Sequence, residues 1–191
     1  MGKSVLSSLP RVHSMHMQVN SGHKVVFREV NEADLPILFE LRRDVPLQAL
    51  LLTVPNALDE AALRAWIARR QGDPGGFFRV IQDVALGDVV GYVQVCQVHR
   101  LNRTGYGGIS LASTARGRGL GQATLRLLIE TAREELGLIK LLSEVRVDNF
   151  PALRLNLSVG YRIVGTLEKH FTDLEGRVHD VLLLERLLSE R

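Results

Sequence analysis

The stretch Leu111-Ala112-Ser113-Thr114-Ala115-Arg116-Gly117-Arg118-Gly119-Leu120-Gly121-Gln122 constrains this chain more than any other. It joins a β-rich segment to the most strongly periodic helical segment, in which Leu125, Leu128, Ile129, Ala132 and Leu136 recur at spacings of three and four. Glycines at 117, 119 and 121 let the backbone pass close to a ligand and turn successive N–H groups towards it. The helix N-terminus that follows adds partial positive charge. A diphosphate is the natural occupant of such a cradle. Two rival phosphate loops fail on the residues: Gln122 stands where a dinucleotide fingerprint needs its third glycine, and no Lys-Ser or Lys-Thr follows as in a P-loop. Without a ligand, the same residues would make a simple turn carrying two solvated arginines.

The remaining elements read outward from that loop. Lys24 to Val30 predicts a strand, and Asn31, Glu32 and Asp34 open a helix towards Arg43 with Pro36 in its first turn. Asp59 caps a second helix through Arg70, with Leu63, Trp66 and Ile67 at helical spacing. Phe77 to Gln82, Val89 to Val98 and Tyr106 to Leu111 read as a three-stranded meander. The main helix runs from Gly119 to Leu136 and stops at Gly137. Leu138 to Val147 is a strand, Asn149 to Ser158 a short helix, and Tyr161 to Phe171 with Val178 to Leu187 a hairpin. The order is β-α-α-β-β-β-α-β-α-β-β, without an internal repeat.

A second motif lies about 30 residues beyond the glycine loop, in Ser143-Glu144-Val145-Arg146-Val147-Asp148-Asn149-Phe150-Pro151-Ala152-Leu153-Arg154-Leu155 and then Gly160-Tyr161. Arg-Gly-x-Gly-x-Gly followed by Asn-x-x-Ala-x-x-Leu and Gly-aromatic resembles the paired signature of the GNAT superfamily of acyl-CoA N-acyltransferases. The resemblance covers roughly residues 24 to 188. It implies an α+β fold, a mostly antiparallel but splayed mixed sheet flanked by helices, and acetyl-CoA as acyl donor. By the same resemblance, the backbone of Ile109 and Leu111 pairs with the pantetheine arm. The amides of Arg116, Gly117, Arg118, Gly119, Leu120, Gly121 and Gln122 hold the diphosphate, with Arg118 near the phosphates. Asn149 helps hold the pantetheine, a role compatible with capping the helix that it begins.

Within that superfamily, Ser-Glu-Val-Arg-x-x-Asn is most similar to members that acetylate the N-terminus of a ribosomal protein. That likeness makes Glu144 the candidate general base. Chemistry demands one, because an α-amine of pKa about 7.7 to 8.0 arrives largely protonated. The competing reading of Glu144 is an outward strand residue paired with Arg146; Glu29, Glu40 and Glu168 are further candidate bases. The tyrosine that protonates the departing thiolate in the family lies four residues after the motif alanine, where this chain has Asn156. Asparagine can hydrogen-bond the sulfur but supplies no proton. A thiol of pKa about 8.5 still leaves reasonably as thiolate, and Tyr92, Tyr106 or Tyr161 are substitutes. The implied reaction is direct attack of an amine in a ternary complex. Asn156 also keeps open a CoA-binding sensor or assembly protein that has lost catalysis.

Composition narrows the alternatives. At 191 residues and 46% hydrophobic content, the chain suits one domain at residues 24 to 191, behind a flexible tail at residues 1 to 23 or a start at Met15 or Met17. A net charge of +3, with Lys and Arg spread along the sequence, argues against nucleic acid as partner. The apolar runs fall far short of the roughly 20 residues that a membrane helix needs. A single cysteine, Cys96, reads as a small core residue and points to a reducing, cytoplasmic setting. No Cys/His spacing suggests a metal. Edge strands in the last hairpin suggest a homodimer. The acceptor region carries Asp34, Glu40, Asp44, Asp59 and Glu60 beside Arg42, Arg43, Arg64, Arg69 and Arg70, a mixture that selects no acceptor. His170 and His179 are hairpin candidates for substrate contact.

Overall fold

The computed structural model describes residues 24–188; the expected tail at residues 1 to 23 lies outside them. Seven strands and five α-helices follow in the order β1 (Val25–Arg28), α1 (Leu35–Arg43), α2 (Val45–Leu50), α3 (Glu60–Gln71), β2 (Phe77–Asp83), β3 (Val89–His99), β4 (Thr104–Leu111), α4 (Leu120–Glu134), β5 (Lys140–Arg146), α5 (Phe150–Ser158), β6 (Arg162–Thr172) and β7 (Val178–Leu187). The expected order stands with one addition, α2. Asp44 starts it by accepting from the Leu47 amide at 2.9 Å, and Pro46 falls in its first turn, where a missing N–H costs nothing.

The chain enters the fold through an ion pair whose carboxylate is buried. Arg28, at the end of β1, donates to both oxygens of Asp34 at 2.7 Å, and Asp34 also accepts from the Asn31 amide at 2.8 Å. Asn31 in turn accepts from Ala33, so the turn into α1 closes as a capping box. Burial opposes ionisation of Asp34, but Arg28 and the Asn31 amide outweigh it and hold the carboxyl below its usual range.

Strand alternation sorts side chains onto two faces. One face of β2 and β3 packs Phe78, Val80 and Tyr92 against Leu38 and Leu41 of α1 and Leu63 and Trp66 of α3. Trp66 meets Phe78 and Tyr92 edge-on, with ring centroids 5.1 and 5.4 Å apart. The other face packs Ile81, Val93 and Val95 with Leu141 and Val145 of β5 against Leu125 and Leu128 of α4.

The sheet order is β1-β2-β3-β4-β5-β7-β6, antiparallel except where β4 meets β5. That parallel pairing covers only Thr104–Tyr106 against Lys140–Leu142. Beyond it β4 stays on β3 as far as Leu111 and β5 stays on β7 as far as Arg146, so the two strands part. A wedge opens between Gly107–Leu111 and residues 143–146.

Replacing Asp34 by Asn should cost about 2 kcal/mol at pH 6, the scale of hydrogen bonds to a charged group. Asp34 is depressed in the folded state, so its contribution is complete above the ordinary carboxylate value near 4 and fades as pH falls through the lower folded value. Urea unfolding should therefore show the deficit at pH 6 shrinking towards pH 3. A deficit that stays constant over that range would exclude the ion pair as its source.

Candidate active site

The wedge is the floor of a cavity of about 270 Å³ that passes between the two faces of the sheet. On the α1–α3 face, β3 contributes Tyr92, Gln94 and Cys96, β4 contributes Tyr106 and Gly108, and β5 contributes Glu144. Leu50 to Thr53 after α2, with Arg42, Trp66 and Arg70, complete that half. On the α4–α5 face the lining includes Ile109, Leu125, Ser143, Val145, Ala152, Leu155, Asn149 and Asn156. Glu144 thus sits where β5 leaves β4, between the two halves.

The glycine loop lies at the start of α4. Gly117 and Gly119 have φ of 72° and 75°, a left-handed conformation that side chains resist. Gly119 caps α4 without a side-chain hydrogen bond, so the first amides of the helix have no partner within it. A Cβ at Gly117 would meet nothing within 4 Å, and one at Gly119 would lie 3.4 Å from the Lys24 amino group. An open row of N–H groups flanked by a lysine fits a diphosphate. Gly121 answers a packing need instead, since a Cβ there would come within 3.1 Å of Leu155.

The sequence-predicted residues divide accordingly. Ile109 and Asn149 line the cavity, while Leu111 packs into the core beside it. Asn149 caps α5 by accepting from Ala152 at 3.3 Å and reaches the Leu50 carbonyl in a long contact of 3.5 Å. Leu120 is buried, which leaves only its amide for a ligand. Arg116 is exposed. Gln122 donates to Ser158 at 3.3 Å. Arg118 ion-pairs with Asp83, which is buried at the β2–β3 turn and also accepts from the Ala85 amide at 2.9 Å. Its guanidinium is therefore anchored to protein, and among the described residues Lys24, beside Gly119, is a further cation at the loop that motif spacing could not reveal.

Glu144 does not pair with Arg146, which instead holds Asp148 through contacts at 2.5 and 3.0 Å. The other carboxylates considered as base lie outside the cavity: Glu29 pairs with Arg79 at 3.0 Å, and Glu40 and Glu168 are exposed. Asn156 lines the cavity with one amide N–H donated to the Ala152 carbonyl at 2.9 Å. Of the substitute tyrosines, Tyr161 is in the core, and burial holds its hydroxyl well above the usual range. Tyr92 and Tyr106 line the cavity; burial raises both, and the Glu144 charge adds to the effect on Tyr106. Cys96 was expected in the core and lies in the cavity wall. Its thiol is raised, first by burial and then by Asp73 and Glu144 against an opposing Arg70, and His99 accepts from the Asn102 amide instead. A cysteine so placed is a poor acyl carrier. His179 is held by Asp173 at 2.9 Å in the hairpin, and His170 is exposed on β6.

Residues 39–161 match the Acetyltransferase (GNAT) family. The chain belongs to that family. It is 28% identical over 151 residues to the L-amino acid N-acetyltransferase AaaT of Escherichia coli (strain K12), covering 77% of this chain and 88% of that protein. Its fold is similar to that of the Vibrio cholerae spermidine N-acetyltransferase solved with CoA and spermine, with a TM-score of 0.78, 20% identity, and 86% and 96% of the two chains covered. A probable acetyltransferase matches with a TM-score of 0.73 and 23% identity over 87% of this chain and 93% of that one. As a GNAT acetyltransferase, the chain is an enzyme that moves an acetyl group from acetyl-CoA to an amine. Among the described residues no group of three or more His, Cys, Asp or Glu could hold a metal, and no helix is long and apolar enough to cross a membrane.

The Cys96 thiol reports on the charge of Glu144. Glu144→Gln removes a negative charge that disfavours the thiolate, so the pH profile for Cys96 alkylation should move to lower pH. An unmoved profile in the folded variant would place the carboxylate away from the cavity.

Proposed function

We propose that Glu144 is the general base of direct acetyl transfer, with the thioester lying in the wedge between β4 and β5. The observation that carries this reading is the position of Glu144 at the parting of the two strands, facing the same cavity as Ile109 and Asn149. The pantetheine arm runs along the free edge of β4 beside Ile109 and Leu111, and the diphosphate rests on the amides of residues 116 to 122. Lys24 and Arg116 supply positive charge there. Arg118 acts through its ion pair with Asp83, which fixes the loop to the β2–β3 turn.

Each step has a named destination for its atoms. The amine nitrogen attacks the thioester carbonyl, a backbone N–H of the open β4 edge polarises the carbonyl oxygen, and the C–N bond forms as the C–S bond breaks. Glu144 takes the proton from nitrogen, directly or through one water. The thiolate leaves with the second N–H of Asn156 as hydrogen-bond donor and takes its proton from solvent or Tyr106. No covalent enzyme intermediate is required.

The catalytic domain spans residues 24 to 191 in a reducing, cytoplasmic setting, and two copies associate through β6. That strand is the outer edge of the sheet and is exposed along nearly its whole length, with Ile163 and Val164 close to half exposed. Sedimentation should give twice the chain mass; a single-chain mass at micromolar concentration would overturn the dimer.

Two variants separate chemistry from binding. Glu144→Gln should lower kcat by about 10²- to 10⁴-fold at neutral pH while CoA affinity stays within about twofold. Gly119→Val should do the reverse, weakening CoA binding about tenfold or more because a β-branched residue resists positive φ and crowds the cradle. Turnover assays with calorimetry on CoA read both. Full activity in the first variant removes Glu144 as base, and undiminished affinity in a folded second variant removes the loop as diphosphate site.

A further inference from the structure

We infer that the acetyl acceptor is a small amine that carries its own carboxylate, of the α-amino acid class, and that Arg42 and Arg70 recognise that carboxylate. The inference rests on the acetyltransferase reading above and concerns the α1–α3 half of the same cavity.

Charge decides the class. Among the described residues that line the cavity, Arg42 and Arg70 are the basic groups and Glu144 is the carboxylate. Two guanidinium groups against one carboxylate leave the lining with a formal charge of +1. The other acidic residues of the first three helices are turned elsewhere. Asp34 holds Arg28, Asp44 and Asp59 cap helices, and Glu60 pairs with Arg64. Asp73, close enough to act on Cys96, accepts from the Gln97 amide at 3.1 Å. A polyamine would bring further positive charge into a site that offers it one carboxylate, the one needed as base. An amine in its reactive, unprotonated form with one carboxylate carries −1 and complements the lining.

Arg42 is also built to receive an anion. Its Nη1 donates to Gln48 Oε1 at 2.5 Å and to Thr53 Oγ1 at 3.3 Å, and its guanidinium stacks over Trp66 at 5.1 Å from the ring centroid. Gln48 is fully buried and is held in turn by donating to the Leu41 carbonyl at 2.8 Å. These contacts fix the plane of the guanidinium through neutral partners only. Nε and Nη2 have no acceptor among the described residues, and no carboxylate pairs with either Arg42 or Arg70. A carboxylate is the group whose two oxygens match a guanidinium edge.

The cavity also has a place for the amine. Gln94 Oε1 is buried in its wall without a hydrogen-bond partner among the described residues, on the same face of the sheet as Glu144. A buried carbonyl oxygen without a donor is costly, and an acceptor N–H would satisfy it. Gln94 and Glu144 thus hold the nitrogen while Arg42 and Arg70 hold the carboxylate, which orients the lone pair towards the thioester in the wedge.

The test uses the full chain, saturating acetyl-CoA, and a panel of L-amino acids, each beside its carboxamide, with spermidine as the cationic control. Amino acids should be acetylated with kcat/KM about 100-fold above their amides, the scale of one charged hydrogen-bonded contact. Arg42→Gln and Arg70→Gln should each raise KM for the acid about 10- to 100-fold, leave KM for acetyl-CoA within about twofold, and narrow the acid-to-amide ratio. A purely structural role for Arg42 would lower acid and amide alike, and that result in both variants overturns the assignment. Equal or better turnover of amides or spermidine overturns the acceptor class. Acetylation of no amino acid also overturns it, and calorimetry with CoA on the same sample then shows whether the acetyltransferase reading fell too.

Discussion

Everything specific to this molecule follows from a hydrogen-bond ladder that stops early. Pairing between β4 and β5 ends at Tyr106 and Leu142, and each strand then follows its other neighbour. Had the ladder continued, the sheet would be closed, Glu144 would be one more outward strand residue, and the two faces would not communicate. The break leaves a polar backbone edge inside the protein that only a ligand or water can satisfy. Around it, the two hydrophobic cores hold the strands apart: one anchors β2 and β3 to α1 and α3, and the other anchors β4 and β5 to α4.

The cavity then assigns one task to each face. The α4–α5 side is apolar apart from Ser143, Asn149 and Asn156 and leads back to the amides at the start of α4, which suits a long thioester arm with an anionic end. The α1–α3 side carries the charged and hydrogen-bonding groups and suits a small polar acceptor. Asn149 touches both, because it caps α5 and reaches the Leu50 carbonyl on the far side.

Much of this was legible in the sequence because it is local. The glycine loop, the periodic helix after it and the Asn149-to-Leu155 segment each lie within a dozen residues, and both motif and spacing survive without any knowledge of tertiary contacts. Helix α2 escaped because Asp44-Val45-Pro46 reads as a break, although Asp44 is its cap and Pro46 falls in its first turn. The destination of Arg118 escaped because its partner, Asp83, lies 35 residues away on another turn. The acceptor region was unreadable for the same reason. Its composition mixes five acids with five arginines, and only folding shows that Asp34, Asp44, Asp59 and Glu60 are committed to caps and ion pairs and that Glu40 is exposed, while Arg42 and Arg70 face inward. Cys96 looked like core because it lies among valines; strand alternation puts it on the face that the cavity occupies.

The short β4–β5 seam also sets the local dynamics of the sheet. Successive amides along a strand point to opposite edges, so those of Gly107–Leu111 alternate between a β3 carbonyl and the open wedge. A single strand therefore contains two regimes of hydrogen exchange, slow where the amide is tied to β3 and fast where it faces the gap. If a pantetheine arm fills the gap as proposed, the fast set becomes slow, and donor binding would leave an every-other-residue footprint along β4.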